Sequence, residues 1–355
     1  MLIKNGIVVG ENETKITDIL IEDGIIKKID DNLEGADVID ASGKYVIPGG
    51  IDVHTHMDLD VGIAVAQDDF YTGTVAAACG GTTTIVDHPA FGPKGCGLNH
   101  QISKYHSLAK GKAVIDYGFH GVIQHVDDDV LKDMKEMIKD GITSYKIYMT
   151  YDYHLEEEEI HKVLKRAKEL GIIIAVHPEN NEVIEKRHEF IDKGLTAPIY
   201  HERSRPVDCE ADAINKIIQI NKKAQDANLY IVHLSNQAGM EYINKGKKDG
   251  LHNLFVETCP QYLFLNDQYY LRKDGIKYVL SPPLRPKENN ELLTEDIIKG
   301  YIDVIGTDHC PFDYKLKKKM GGKDFTKCPN GLPGVEARIV LMFSKFVMGG
   351  LISPN

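Results

Sequence analysis

Two histidines separated by one residue, His54 and His56 in "DVHTH", stand at the end of an apolar run. Side chains alternate along a strand, so positions two apart share a face, and two imidazoles on one face suit a divalent transition metal. Similar strand ends recur downstream: "AVHPEN" supplies His177, "IVHLSN" supplies His233 and "IGTDH" supplies Asp308. In "SYKIYMTYD", Lys146 falls within a segment that reads as buried strand, on the face of Ser144 and Tyr148 and opposite Tyr145, Ile147 and Met149. A histidine taken singly is more economically a structural residue, and His88, His120, His125 and His309 are read that way. The HxH pair, joined by ligand types at three further strand ends, carries the metal reading.

An ammonium is seldom buried without a partner. Desolvation and nearby cations favour the neutral amine, which can take up carbon dioxide and become a carbamate. Lys146 would then be a bridging carboxylate, with His54, His56 and Asp308 on one ion and His177 and His233 on a second. The blander alternative, Lys146 paired to Asp308 without metal, leaves four histidines around it with no purpose. Two ions roughly 3.5 to 4 Å apart lower the pKa of a shared water from about 15.7 toward 7. Asp308 beside that water would accept its proton and pass it to a leaving nitrogen.

Such residues need a scaffold that gathers strand ends. After Pro48-Gly49-Gly50 the chain alternates strand and helix, with apolar strand candidates at 51–56, 82–87, 115–122, 142–149, 172–177, 229–234, 253–258 and 303–308. Helical stretches such as "DDVLKDMKEMIKDG" and "EEEEIHKVLKRAKELG" lie between them, the second with acidic residues at its start and Gly171 at its end. Eight such units predict an α/β fold, a (β/α)8 TIM-type barrel over 49–355, whose active site sits at the C-terminal ends of the strands. A doubly wound open sheet is the alternative, but six strands are its usual number and no Gly-rich phosphate turn follows the first strand. Residues 1–48 read as short strands broken at Asn5-Gly6, Asp23-Gly24 and Ser42-Gly43, the N-terminal part of a small β domain.

The totals narrow the function classes. A formal net charge of −11 opposes sequence-independent binding to nucleic acid phosphates or an anionic membrane, and favours a small-molecule partner. The basic run Lys315, Lys317, Lys318 and Lys319 lacks interleaved aromatics and reads as a solvated loop. The six cysteines form no CxxC pair, no signal-peptide core fits the N-terminus, and no apolar run reaches membrane-spanning length; a cytoplasmic protein is expected.

The ordered blocks "PGGIDVHTH", "GGTTTIVDH", "SYKIYMTY", "VHPEN", "IVHLSN", "VETCPQYL", "LSPPLR", "GTDHCPF" and "CPNGLPG" resemble the cyclic amidohydrolases of the dihydropyrimidinase and hydantoinase branch, from Met1 to Asn355. The resemblance implies that Lys146 is carboxylated and that His54, His56, Lys146, His177, His233 and Asp308 hold two divalent metals, usually zinc. It gives Tyr151 an oxyanion-binding role, and Ser281 and Asn330 the task of holding a cyclic ureide through main-chain groups. The activity implied is opening of a 5-substituted, aromatic D-hydantoin to its N-carbamoyl amino acid, by a homo-oligomer, a tetramer. Dihydropyrimidinase is the alternative with the same chemistry, and a non-catalytic scaffold of this fold is the alternative from another class. Relatives binding an anionic ring commonly place arginine shortly after the HxH, where Met57 and Asp58 stand here, so a neutral ring is expected. Loops bearing Ile63, Val65, Phe91 and Tyr153 are candidates to receive the ring substituent. Relatives extend beyond the point matching Asn355, so the small β-sandwich-like domain is expected to lack its C-terminal half.

Overall fold

The structure, a computed structural model, describes residues 1–355. The chain divides into two compact units, Met1–Gly50 with Ile339–Asn355, and Ile51–Arg338.

The smaller unit holds one five-stranded sheet of β1 (Leu2–Val9), β2 (Thr14–Glu22), β3 (Ile25–Asp30), β4 (Val38–Asp40) and β5 (Tyr45–Val46). Antiparallel pairing joins β1 to β2 and β2 to β3, while β4 and β5 lie parallel to β1. Asp23 and Gly24 both take positive φ, as a tight hairpin turn with right-handed strand twist demands. Asn5-Gly6, expected to end a strand, instead forms a bulge inside β1, where the register to β2 shifts and Asn5 has φ 59°. From the C-terminal segment, Phe343 sets its ring edge-on to Tyr45 at 5.0 Å.

The larger unit carries the parallel strands β6 (Gly50–Thr55), β7 (Thr82–Asp87), β8 (Asp116–Phe119), β9 (Gly121–Val122), β10 (Ser144–Tyr148), β11 (Ile173–His177), β12 (Asn228–Ile231), β13 (Leu254–Thr258) and β14 (Val304–Ile305). Pairing runs β6–β7–β8 and β9 through β14 in chain order. Only His120 separates β8 from β9, its ring held by the Val53 carbonyl and Ser144 Oγ, so the two are one strand position with a break. A parallel bridge between Thr55 and His309 joins the first position to the last. Eight parallel positions in sequence order, closed on themselves, give the (β/α)8 arrangement. The eighth strand is shorter than its apolar run, with only two residues in β14, and just beyond it a Cβ at Gly306 would collide with Glu257 and His54.

Helix Glu157–Leu170 shows why the intervening segments coil. Glu156 and Glu159 form a capping box, Ile160, Val163, Leu164 and Ala167 make a buried stripe at helical spacing, and Gly171 stops it at φ 70°. Burying each larger aliphatic side chain contributes roughly 1.5–3 kcal/mol. The basic run is not the solvated loop expected of it: Lys315 to Lys319 lie on a helix, Tyr314–Gly321, and Lys317 is buried.

Candidate metal centre

Strand β6 delivers His54 and His56 to one side, where both Nε2 atoms meet Asp308 Oδ1, at 3.3 and 3.0 Å. Ligand atoms of these three residues all lie within 4.8 Å of one another. His177 ends β11 and His233 lies two residues past β12, with His177 Nδ1 facing His233 Nε2 at 2.8 Å. The His54 and His233 rings, 5.5 Å apart, link the two groups. Lys146 is 1% exposed on β10, its Nζ 5.6 Å from the centre of the Tyr148 ring, which itself stacks near His177. Asp308 Oδ1 makes its short contacts with the two histidine Nε2 atoms, and Lys146 feels the Asp308 charge without a direct ion pair.

Electrostatics at this rim suit ligands rather than charges. Burial, and then the Lys146 cation, hold the His54 imidazole well below its usual range; burial, then His177, do the same for His233. Both are therefore neutral lone-pair donors at pH 7. Burial drives Lys146 down to about 8, with Asp308 and Glu257 pulling the other way, so an appreciable share of neutral amine is present near neutrality. Buried His233 Nδ1 and both ring nitrogens of His88 have no hydrogen-bond partner. Neutral imidazole nitrogens together with a carboxylate fit a divalent transition metal, and the group His54, His56 and Asp308 is the part that meets ligand spacing outright.

The supports of this rim escaped the sequence reading. Glu257, fully buried on β13, accepts from His54 Nδ1 at 2.7 Å, the His233 main-chain N–H at 2.8 Å and Tyr230 Oη at 2.6 Å. It thereby fixes the His54 tautomer and leaves Nε2 free to ligate. Asp52 accepts from the His54 N–H and from Thr307, tying β6 to the segment that bears Asp308. Asp87 accepts from Thr55 Oγ1 and the Met57 N–H, shaping the turn after the HxH. Glu179 Oε2 reaches His177 Nε2 at 2.9 Å and Arg205 at 2.6 Å. All four stand in or beside blocks already conspicuous in the sequence, as acidic residues inside otherwise apolar strand ends. That misplacement is the available signal.

Tyr151 Oη lies 3.4 Å from His177 Nε2, within reach of Ser281 and Arg205. Burial pushes its phenol up to about 12, so it remains a donor. Asn330 Nδ2 donates to Ser281 Oγ at 2.9 Å, so these two expected ring-holding positions are adjacent. Tyr151, His233 and Asp308 all adopt left-handed backbone at φ 76°, 42° and 52°, a conformation costing a non-glycine residue about 1–3 kcal/mol and found disproportionately at functional sites. Among the loop candidates, Phe91 packs against Tyr148 and Tyr153, each at 4.9 Å, whereas Ile63 and Val65 stay exposed. His309 is held by Asp68 and the Gly334 N–H, in keeping with a structural role.

No helix is long and apolar enough to cross a membrane. The amidohydrolase family model matches residues 45–323. A D-phenylhydantoinase from Escherichia coli O81 (strain ED1a) is 50% identical over 359 residues, covering 100% of this chain and 78% of that protein. Among solved structures, the dihydropyrimidinase from Brevibacillus agri NCHU1002 superposes with a TM-score of 0.96 at 42% identity. The D-hydantoinase from a Bacillus sp. AR9 gives 0.96 at 43%; each match covers 100% of this chain and 78% of the other. With a strand-end histidine and carboxylate rim inside a parallel barrel, and with identity of this extent, the chain belongs to the amidohydrolase family.

Proposed function

We propose that the protein is a binuclear-metal hydrolase that opens the cyclic amide of 5-substituted, aromatic D-hydantoins to N-carbamoyl amino acids. The observation that carries this reading is the pair of ligand groups, His54–His56–Asp308 and His177–His233, converging on one buried rim with Lys146. The names of relatives at 42–50% identity support the substrate class. His54, His56 and Asp308 would hold one ion, His177 and His233 the other, with Lys146 as a carbamate between them; zinc is the proposed metal. When bound, the metal pair supplies Lewis acidity and an acidified water.

The chain's own groups then divide the remaining work. Asp308, whose side chain keeps 14% exposure at the mouth, accepts a proton from the nucleophilic water and delivers it to the ring nitrogen that leaves. Tyr151, still protonated at working pH, donates to the carbonyl oxygen as it gains charge. Ser281 and Asn330 hold the ureide edge, and the Phe91, Tyr148 and Tyr153 rings offer a wall to an aromatic substituent. By resemblance, the reading includes a cytoplasmic homotetramer.

Phenylhydantoin and dihydrouracil assayed side by side test it, with metal content measured on the same preparation. Faster turnover of phenylhydantoin with close to two divalent ions per chain is expected. The reverse ranking would move the assignment to dihydropyrimidinase, and absence of turnover with under one ion per chain would favour a scaffold.

A further inference from the structure

We infer that Lys317 is a positioning residue for ring binding, its ammonium fastening together the two chain segments that carry Ser281 and Asn330. The inference rests on the proposed hydantoinase reading, in which those two residues hold the ureide.

Lys315, Lys318 and Lys319 on the same helix are exposed, whereas Lys317 is 1% exposed. Its Nζ donates to three main-chain carbonyls, those of Lys277 at 3.1 Å, Val279 at 2.8 Å and Gly331 at 2.8 Å. Three acceptors match the three hydrogens of an ammonium. Val279 lies two residues before Ser281, and Gly331 directly follows Asn330. The Val279 carbonyl also accepts the Gly331 N–H at 3.0 Å, so one small knot of four groups joins both segments just below the Asn330–Ser281 side-chain contact.

Neighbours complete the clamp. The Leu280 carbonyl is held by His201 Nε2 at 2.7 Å and the Pro282 carbonyl by Tyr262 Oη at 2.7 Å, so 279, 280 and 282 are each pinned on either side of Ser281. On the other segment Gly331 has φ 153°, and a Cβ there would collide with the Cys310 carbonyl, two residues past Asp308. Gly331 is thus squeezed between the Lys317 ammonium and the loop that carries a ligand. An apolar side chain would fill the same space without desolvating a charge. What only the ammonium supplies is three charge-assisted bonds that fix carbonyl positions. Main-chain groups that bind a ring must be held to well under 1 Å, and this knot sits one or two residues from both of them.

The full-length protein tests this through kcat and KM for phenylhydantoin, alongside far-UV circular dichroism and metal content. Lys317→Met should raise KM about 10- to 100-fold while kcat stays within about threefold of the parent and bound metal is unchanged. Lys317→Arg, which keeps charge and donors, should recover part of the lost affinity, and exposed Lys318→Met should match the parent throughout. Lys317→Gln takes the place of the methionine variant if the latter does not fold. A folded, metal-replete variant with parental KM overturns the proposal, as does a fall in metal content with KM preserved. Failure of the Met, Gln and Arg variants alike to fold overturns it too, in favour of a purely structural lysine. An inactive parent would sink the hydantoinase reading itself, whereas an active parent beside an unaffected variant sinks the clamp alone.

Discussion

His177 Nδ1 and His233 Nε2 face each other at 2.8 Å from the ends of neighbouring strands. Without an ion between them, one nitrogen must donate and the other accept; a divalent cation asks both for lone pairs, so uptake requires the donating ring to carry its proton on its other nitrogen. His233→Ala should therefore lower bound divalent metal by about one ion per chain and activity by at least about 100-fold. Metal analysis with turnover on phenylhydantoin checks this, and parental metal content in the variant would remove His233 from the ligand set.

Lys146→Ala should abolish turnover and reduce metal occupancy, with partial recovery on adding short carboxylic acids that replace the lost bridge. Carbon-13 bicarbonate should give a carbamate signal in the parent and none in the variant. Full activity in the alanine variant would show that the lysine is only a buried packing residue.

Glu257→Gln keeps the size of the side chain but removes the carboxylate that receives His54 Nδ1, the His233 N–H and Tyr230 Oη. The expected loss is about 10- to 100-fold in metal affinity, as for other groups that orient a ligating histidine. Competition with a chelator of known affinity measures it. Equal affinity in parent and variant would mean that His54 is oriented by packing alone.

The buried pair of Glu179 and Arg205 sets a stability test. Burial raises the Glu179 pKa, but Arg205 and His177 more than offset it and hold the carboxyl well below its usual range. A carboxylate depressed in this way contributes stability that is complete above pH ~4.5 and is lost as pH falls toward the folded-state pKa. Urea unfolding of metal-free protein should thus weaken below that pH less steeply in Glu179→Gln than in the parent. Glu179→Ala, which strands the Arg205 charge, should cost about 3–5 kcal/mol at pH 7. A loss under 1 kcal/mol would show that water or another group takes over the guanidinium.

Much of this was legible before any coordinates. Parallel strands buried on both faces leave long apolar runs, so eight of them could be counted, and the polar residues that interrupt their ends marked the proposed ligand positions His54, His56, Lys146, His177, His233 and Asp308. Periodicity could not show which residues support them. Asp52, Asp87, Glu179 and Glu257 each meet partners brought in by neighbouring strands or a distant helix, and no fixed spacing records such a meeting. Lys317 misled for the opposite reason: local composition argues for solvent, and only the fold turns one lysine of four inward onto carbonyls. The Asn5-Gly6 bulge shows the same limit, since a turn-type dipeptide is equally at home where a strand takes an extra residue.

The bridge of Thr55 to His309 joins the first and eighth strand positions. Asp52 and Thr307, bonded beside it, stand 255 residues apart in sequence. During synthesis the ribosome must therefore release nearly the whole barrel before its first histidines can share a cation with Asp308. Any cation held by that trio is therefore captured only after residue 308 has been made.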